Sequence, residues 1–180
     1  RPNIGIRGAA AERSQKITLM RDEILITPAP YSAPAAYYVP NVSRISSMEV
    51  VKGPAAVTHG PHTVGGAVNL VSAPVPSAAM GVVDLSYGSD GYYKAQAAYG
   101  NMKGNFGYLV DVLTYGADGF KSIDGHGDST GFERSDFGIK LLYQNPESPR
   151  DHKVSLLIEG GEEGADETYL GLADADFIDN

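Results

Sequence analysis

Phe106-Gly-Tyr-Leu-Val-Asp-Val-Leu-Thr-Tyr115 is written in period two: Phe106, Tyr108, Val110 and Val112 fall on one side of an extended chain, with Asp111 on the other. That alternation is the signal of a strand whose faces meet different surroundings. Four more segments share the pattern. In 82–88, Val83, Leu85 and Tyr87 oppose Asp84 and Ser86; in 92–100, Tyr93, Ala95, Ala97 and Tyr99 oppose Lys94 and Gln96. In 136–143, Phe137, Ile139, Leu141 and Tyr143 oppose Asp136 and Lys140; in 153–159, Val154, Leu156 and Ile158 oppose Lys153, Ser155 and Glu159. Gly88–Gly91 and Asn101–Asn105 are tight connections, Gly116–Gly131 is long and polar, and Asn145–Asp151 is a turn bearing Pro146 and Pro149. The pattern predicts an antiparallel meander.

Two architectures fit it. Four of the apolar faces carry an aromatic residue near one or both ends, where a lipid-facing barrel strand places its girdle. One sheet of a soluble β-sandwich alternates equally well. No run reaches the ~18 apolar residues of a spanning helix, but a barrel strand needs only ~9–11.

Composition narrows the function. The 180 residues include no Cys, which removes disulfides, thiolate zinc sites and cysteine nucleophiles together. The net charge of −8 is unevenly placed: residues 1–153 balance, and Val154–Asn180 holds eight acids and no Lys or Arg. Such a block reads as a solvated loop or tail. Without a basic stripe, nucleic acid is not an expected partner. Neither a Gly-x-Ser-x-Gly elbow nor a phosphate loop is present, so no enzyme and no catalytic residue are expected. His59 and His62 are too few for a metal shell, and the Asp118–Asp128 loop does not have the spacing of a calcium-binding EF-hand. No metal site and no cofactor are expected.

Residues 1–76 have another grammar. Short strand candidates (Ile17–Met20, Ile24–Ile26, Met48–Val51, Ala67–Val71) are separated by Gly and Pro, and Gly53-Pro54 opens a helical turn through Val57. This reads as mixed α/β or irregular β.

Three ordered motifs in this half resemble the plug domain of TonB-dependent outer-membrane receptors: Pro2-Asn-Ile-Gly-Ile-Arg-Gly8, Arg44-Ile-Ser-Ser-Met-Glu-Val-Val-Lys-Gly-Pro54, and His59-Gly-Pro-His-Thr-Val-Gly-Gly-Ala-Val-Asn-Leu-Val71. The resemblance continues into the second half, where Met80 onward stands at the family's first barrel strands. Thr27-Pro-Ala-Pro-Tyr31 and Glu167-Thr-Tyr-Leu-Gly-Leu172 are similar to segments of ferric citrate-type receptors. Two departures stand out. Asp22-Glu23 replaces the family's Asp-Gly, so that turn is expected to be rebuilt, and His59 replaces a Tyr.

The resemblance implies a mixed α/β plug (1–76) followed by antiparallel transmembrane β-barrel strands (77–180), an excerpt of a 22-stranded barrel whose energy-coupling box lies upstream. It implies a receptor in the Gram-negative outer membrane that imports an iron chelate of ferric citrate type, with iron present only in the cargo. Cobalamin, another metal chelate or a saccharide are alternative cargoes, and a non-transporting β-rich adhesin is a rival from another class. Implied partners are the TonB-ExbB-ExbD complex, outer-membrane lipid and lipopolysaccharide. An anionic chelate calls for Arg forks and hydroxyl donors, so Arg7, Arg13, Tyr31, Tyr37 and Tyr38 are the candidate binders at the plug apex. Glu49 and Lys52 are expected to pair ionically where plug meets barrel.

Overall fold

The computed structural model describes residues 4–6, 8, 9, 11, 14–26, 39–120, 130–147 and 152–166. The chain divides into two compact units, Arg1–Pro74 and Val75–Asn180.

Unit one is built on a four-stranded sheet in the order β2-β1-β4-β3, comprising β1 (Ile17–Arg21), β2 (Ile24–Leu25), β3 (Ile45–Val51) and β4 (Gly66–Ser72). β1 and β4 run parallel at its centre, while β2 and β3 flank them antiparallel. A parallel pair is stable when covered on both faces, and the sequence supplies both covers. Ile17, Leu19, Val68 and Leu70 form one core with Ile4, Ile6, Ile26 and Ile45 packed on it. Met20 and Ala67 form the other, with Ala56 and Val51.

The mixed α/β expectation needs correction here. Among the described residues, helical structure is limited to 3-10 turns, at Ser14, Val42–Arg44 and Pro54–His59. Gly53 and Gly60, both at positive φ, bracket the last and leave six residues between them. That is room for the short 3-10 form rather than a stable α-helix.

Unit two is a meander, β5 (Met80–Tyr87), β6 (Tyr93–Lys103), β7 (Phe106–Ala117), β8 (Phe132–Asn145) and β9 (His152–Ala165), with each strand antiparallel to the next. The strands outrun their alternating cores. β6 continues through Lys103, which leaves Gly104-Asn105 as a two-residue turn, with Gly104 at φ 60°. β9 continues through Glu159, Glu162 and Glu163. The first part of the acidic block is therefore strand rather than solvated loop. Its backbone is held by the ladder to β8, from Gly138↔Glu159 to Phe132↔Ala165.

Register keeps the two faces apart across all five strands. Val83, Ala97, Val112, Phe137 and Gly160 are successive cross-strand partners, as are Tyr99, Val110, Ile139 and Ile158. This apolar face is open: Val83, Leu85 and Tyr87 are 72%, 74% and 85% exposed. Apart from Phe137 at mid-strand, its aromatics lie in two bands. Tyr99 against Tyr108 and Phe106 against Tyr143 stand toward the Gly104-Asn105 edge, and the pair Tyr87↔Tyr93 stands at the opposite edge.

Candidate functional site

In unit one the chemistry converges on Asn69 of β4. Its side chain is buried; Oδ1 accepts from the Glu23 backbone N–H at 2.9 Å, and Nδ2 donates to Glu49 Oε2 at 2.9 Å. One residue thus fastens the β1–β2 turn and β3 to the central strand. Asp22 completes the clasp, its carboxylate accepting from the Ser72 N–H and hydroxyl. The Gly-Gly that precedes Asn69 makes this approach possible. A Cβ on Gly66 would stand 2.6 Å from the Val51 carbonyl oxygen, and its φ of +143° is one L-residues avoid.

The expected rebuilding of the Asp22-Glu23 turn does not occur. Arg21 pairs with Ile24, and both loop residues take positive φ, 48° and 67°. That is the sign pattern of a type I′ hairpin, for which Asp-Gly is a favoured pair. The bonds to Ser72 and Asn69 hold Glu23 in a conformation that glycine would adopt freely.

In unit two the polar side chains gather on the face opposite the apolar one. Lys94 Nζ meets Asp84 Oδ2 at 2.8 Å. Arg134 bridges two acids: Nε lies 2.9 Å from Asp136 Oδ2, and Nη1 lies 3.1 Å from Glu163 Oε2. The Asp136 side chain is only 8% exposed, so its charge depends on that guanidinium. By strand alternation this face carries Lys94, Arg134, Lys140 and Lys153 against Asp84, Asp111, Asp136, Glu159 and Glu163. It is a charged wall close to overall balance. Glu162, one residue from Glu163, lies on the apolar side with Glu133, which accepts from the Tyr93 hydroxyl at 3.0 Å.

A groove of about 620 Å³ also crosses unit two, over Val83, Ala97, Val112 and Phe137. It belongs to the apolar face and offers hydrocarbon contact, not recognition of a polar solute.

Arg7, Arg13, Tyr31, Tyr37 and Tyr38 lie outside the described residues, as do Thr27–Tyr31 and Glu167–Leu172. Glu49 is engaged by Asn69, and Lys52 is exposed just after β3. His59 and His62 stand near the loop where Thr18 Oγ1 donates to the Pro61 carbonyl. No group of three or more His, Cys, Asp or Glu suited to a metal occurs among the described residues. Sequence reasoning missed the roles of Asn69, Arg134 and Asp136. The Gly-Gly-x-x-Asn spacing could have pointed to the first, and the Arg-x-Asp spacing on one strand face to the other two.

Residues 1–67 match the family model described as TonB-dependent Receptor Plug Domain. Residues 1–67 are thus similar to the plug of a TonB-dependent receptor. The Vitamin B12 transporter BtuB of Photobacterium profundum is 28% identical over 135 residues, 71% of this chain and 22% of that protein. Among solved structures, the copper transporter OprC superposes with a TM-score of 0.63 at 17% identity, over 83% of this chain and 23% of its own. The siderophore receptor PirA from Acinetobacter baumannii gives 0.62 at 20% identity, over 89% and 25%. The chain thus spans about a quarter of the length of these receptors and transporters. The OprC and PirA likenesses reach past the plug into the five-stranded unit and support its barrel-like fold. These relatives are named as transporters and receptors, not as enzymes.

Proposed function

We propose that the chain is the plug (1–76) and first five barrel strands (77–180) of an outer-membrane receptor that binds a metal chelate and imports it with energy supplied through TonB-ExbB-ExbD. The observation that carries this is the two-faced meander joined to a plug. One face is open, apolar and banded with aromatics, as lipid requires; the other carries charges of both signs, including the pairs Lys94–Asp84 and Arg134–Asp136, as a water-filled lumen tolerates. Completing such a wall needs further strands, and 22 is the number we expect. Outer-membrane lipid and lipopolysaccharide then cover the apolar face.

The cargo we propose is an anionic ferric chelate of citrate type. The near-balance of the polar wall favours it, because four cations there face five acids: Glu163 shares Arg134 with Asp136, and Glu162 lies on the other face. Arg7, Arg13, Tyr31, Tyr37 and Tyr38 are the proposed binders, and Glu49 and Lys52 the proposed contacts between plug and barrel. No resident cofactor is needed. Cobalamin is the second reading, favoured by the similarity to a vitamin B12 transporter.

Calorimetric titration of the full-length receptor in detergent, with ferric dicitrate and with cyanocobalamin, separates the two. Saturable binding of ferric dicitrate, weakened at least tenfold by Arg13→Ala, supports the first reading. Binding of cyanocobalamin alone replaces it with the second, and binding of neither overturns both.

A further inference from the structure

Between β4 and β5 the chain passes through Ala73-Pro74-Val75-Pro76, and two of these residues occupy notches in the polar face of unit two. A Cβ built on Gly100 of β6 would stand 2.6 and 2.7 Å from Cδ and Cγ of Pro76. One built on Gly107 of β7 would stand 2.7 Å from Cγ1 of Val75. Both glycines are buried, and both linker residues are half-buried. Neither glycine adopts a positive φ; at Gly107 the nearest obstacle to a Cβ is Val75, while at Gly100 the Tyr108 carbonyl oxygen, at 2.8 Å, crowds the position together with Pro76. A glycine inside a strand weakens it unless another part of the chain needs the space, and here Val75 and Pro76 fill that space.

The location adds a mechanical meaning. The β5–β6 ladder begins at Met80↔Gly100, so tension arriving at Met80 would open that ladder one rung at a time from its first pair. Pro76 is seated against Gly100, four residues before Met80, and intercepts such tension first. Two side chains held in notches on neighbouring strands must be displaced together, whereas a ladder pulled from its end yields in sequence.

We propose that Val75 and Pro76, seated on Gly107 and Gly100, form a mechanical stop: displacement of the plug ends there and does not peel β5 from the barrel wall. The pulling role rests on the energised-import reading above; the seat itself does not. Filling the notches removes the stop, and so does removing the pegs.

The test is force spectroscopy on the full-length receptor in lipid, pulled from its N-terminal end, with heat-modifiable migration as the check that the barrel is folded. The wild type resists extension at Val75. In Gly100→Val/Gly107→Val, and separately in Val75→Gly/Pro76→Gly, the resistance moves to Met80. That lengthens the extension by five residues, about 17 Å at ~3.4 Å per residue, and β5 then unzips at lower force. Gly81→Ala, on the apolar face, retains the wild-type trace. Identical traces for wild type and both double variants overturn the stop. A receptor whose traces shift as expected but which imports neither ferric dicitrate nor cyanocobalamin retains the stop and loses the import reading.

Discussion

The ring of Phe137 lies over its cross-strand partner Gly160, where a Cβ would stand 2.5 Å from the ring's Cε1. The clash is with the far end of an exposed side chain, which can swing aside. At Gly116 the atom in the way is the Phe132 carbonyl oxygen at 2.7 Å, which is fixed by the sheet. Gly160→Ala is therefore expected to cost under about 1 kcal/mol and Gly116→Ala about 1–3 kcal/mol. Denaturant midpoints of the full-length receptor in detergent check the order, and equal costs would contradict it.

Asn69→Ala strands the Glu23 N–H and removes the partner of Glu49. The expected loss is about 1–3 kcal/mol, confined to unit one. Hydrogen exchange reads it out: faster exchange in β1–β4 with β5–β9 unchanged is the expected result.

Glu23→Gly should stabilise. A left-handed conformation costs an L-residue roughly 1–2 kcal/mol, while glycine's extra unfolded entropy returns about 0.5–1 kcal/mol. The net gain is about 0.5 kcal/mol, seen as slower exchange at Ile24 and Ile26. A loss would mean that the Glu23 side chain makes a contact of its own.

Arg134→Met leaves Asp136 buried without its cation and should cost about 3–5 kcal/mol. Glu163→Gln removes only the more exposed of the two pairs and should cost at most about 1 kcal/mol. The double variant Arg134→Met/Asp136→Leu is expected to recover most of the loss. Failure to recover would show that the guanidinium is needed for something beyond this carboxylate.

Residues 75–180 expressed alone should aggregate in plain buffer and disperse in detergent. Their open apolar face exceeds the few hundred Å² a soluble monomer exposes, and β5 and β9 offer unpaired edges within the described sheet. Light scattering decides the matter, and a monodisperse, cooperatively folding fragment without detergent would remove the membrane assignment.

What the sequence made legible was what local periodicity writes. The five strands of unit two were readable because each apolar side chain recurs at every second position. The continuation of β9 was not, because Glu159-Gly-Gly-Glu-Glu163 has no apolar alternation and is strand only through its pairing with β8. In the plug, Gly-Gly-x-x-Asn was visible as a motif. The work of Asn69 was not, since its partners lie 20 and 46 residues away in the chain. The Asp22-Glu23 turn misled for the same reason: its geometry is maintained by Ser72 and Asn69 rather than by its own two residues. The candidate binders Arg7, Arg13, Tyr31, Tyr37 and Tyr38 lie outside the described residues, and Glu49, expected to pair ionically with the barrel, accepts from Asn69.

The seating of Val75 and Pro76 on Gly107 and Gly100 also bears on where unit one could be exchanged for another. A graft that joins a foreign first unit at Met80 would bring a foreign linker to notches cut for these two side chains. It would leave either a void or a collision just before β5. The two compact units divide between Pro74 and Val75, so Val75 and Pro76 go with unit two and unit one is the exchangeable module.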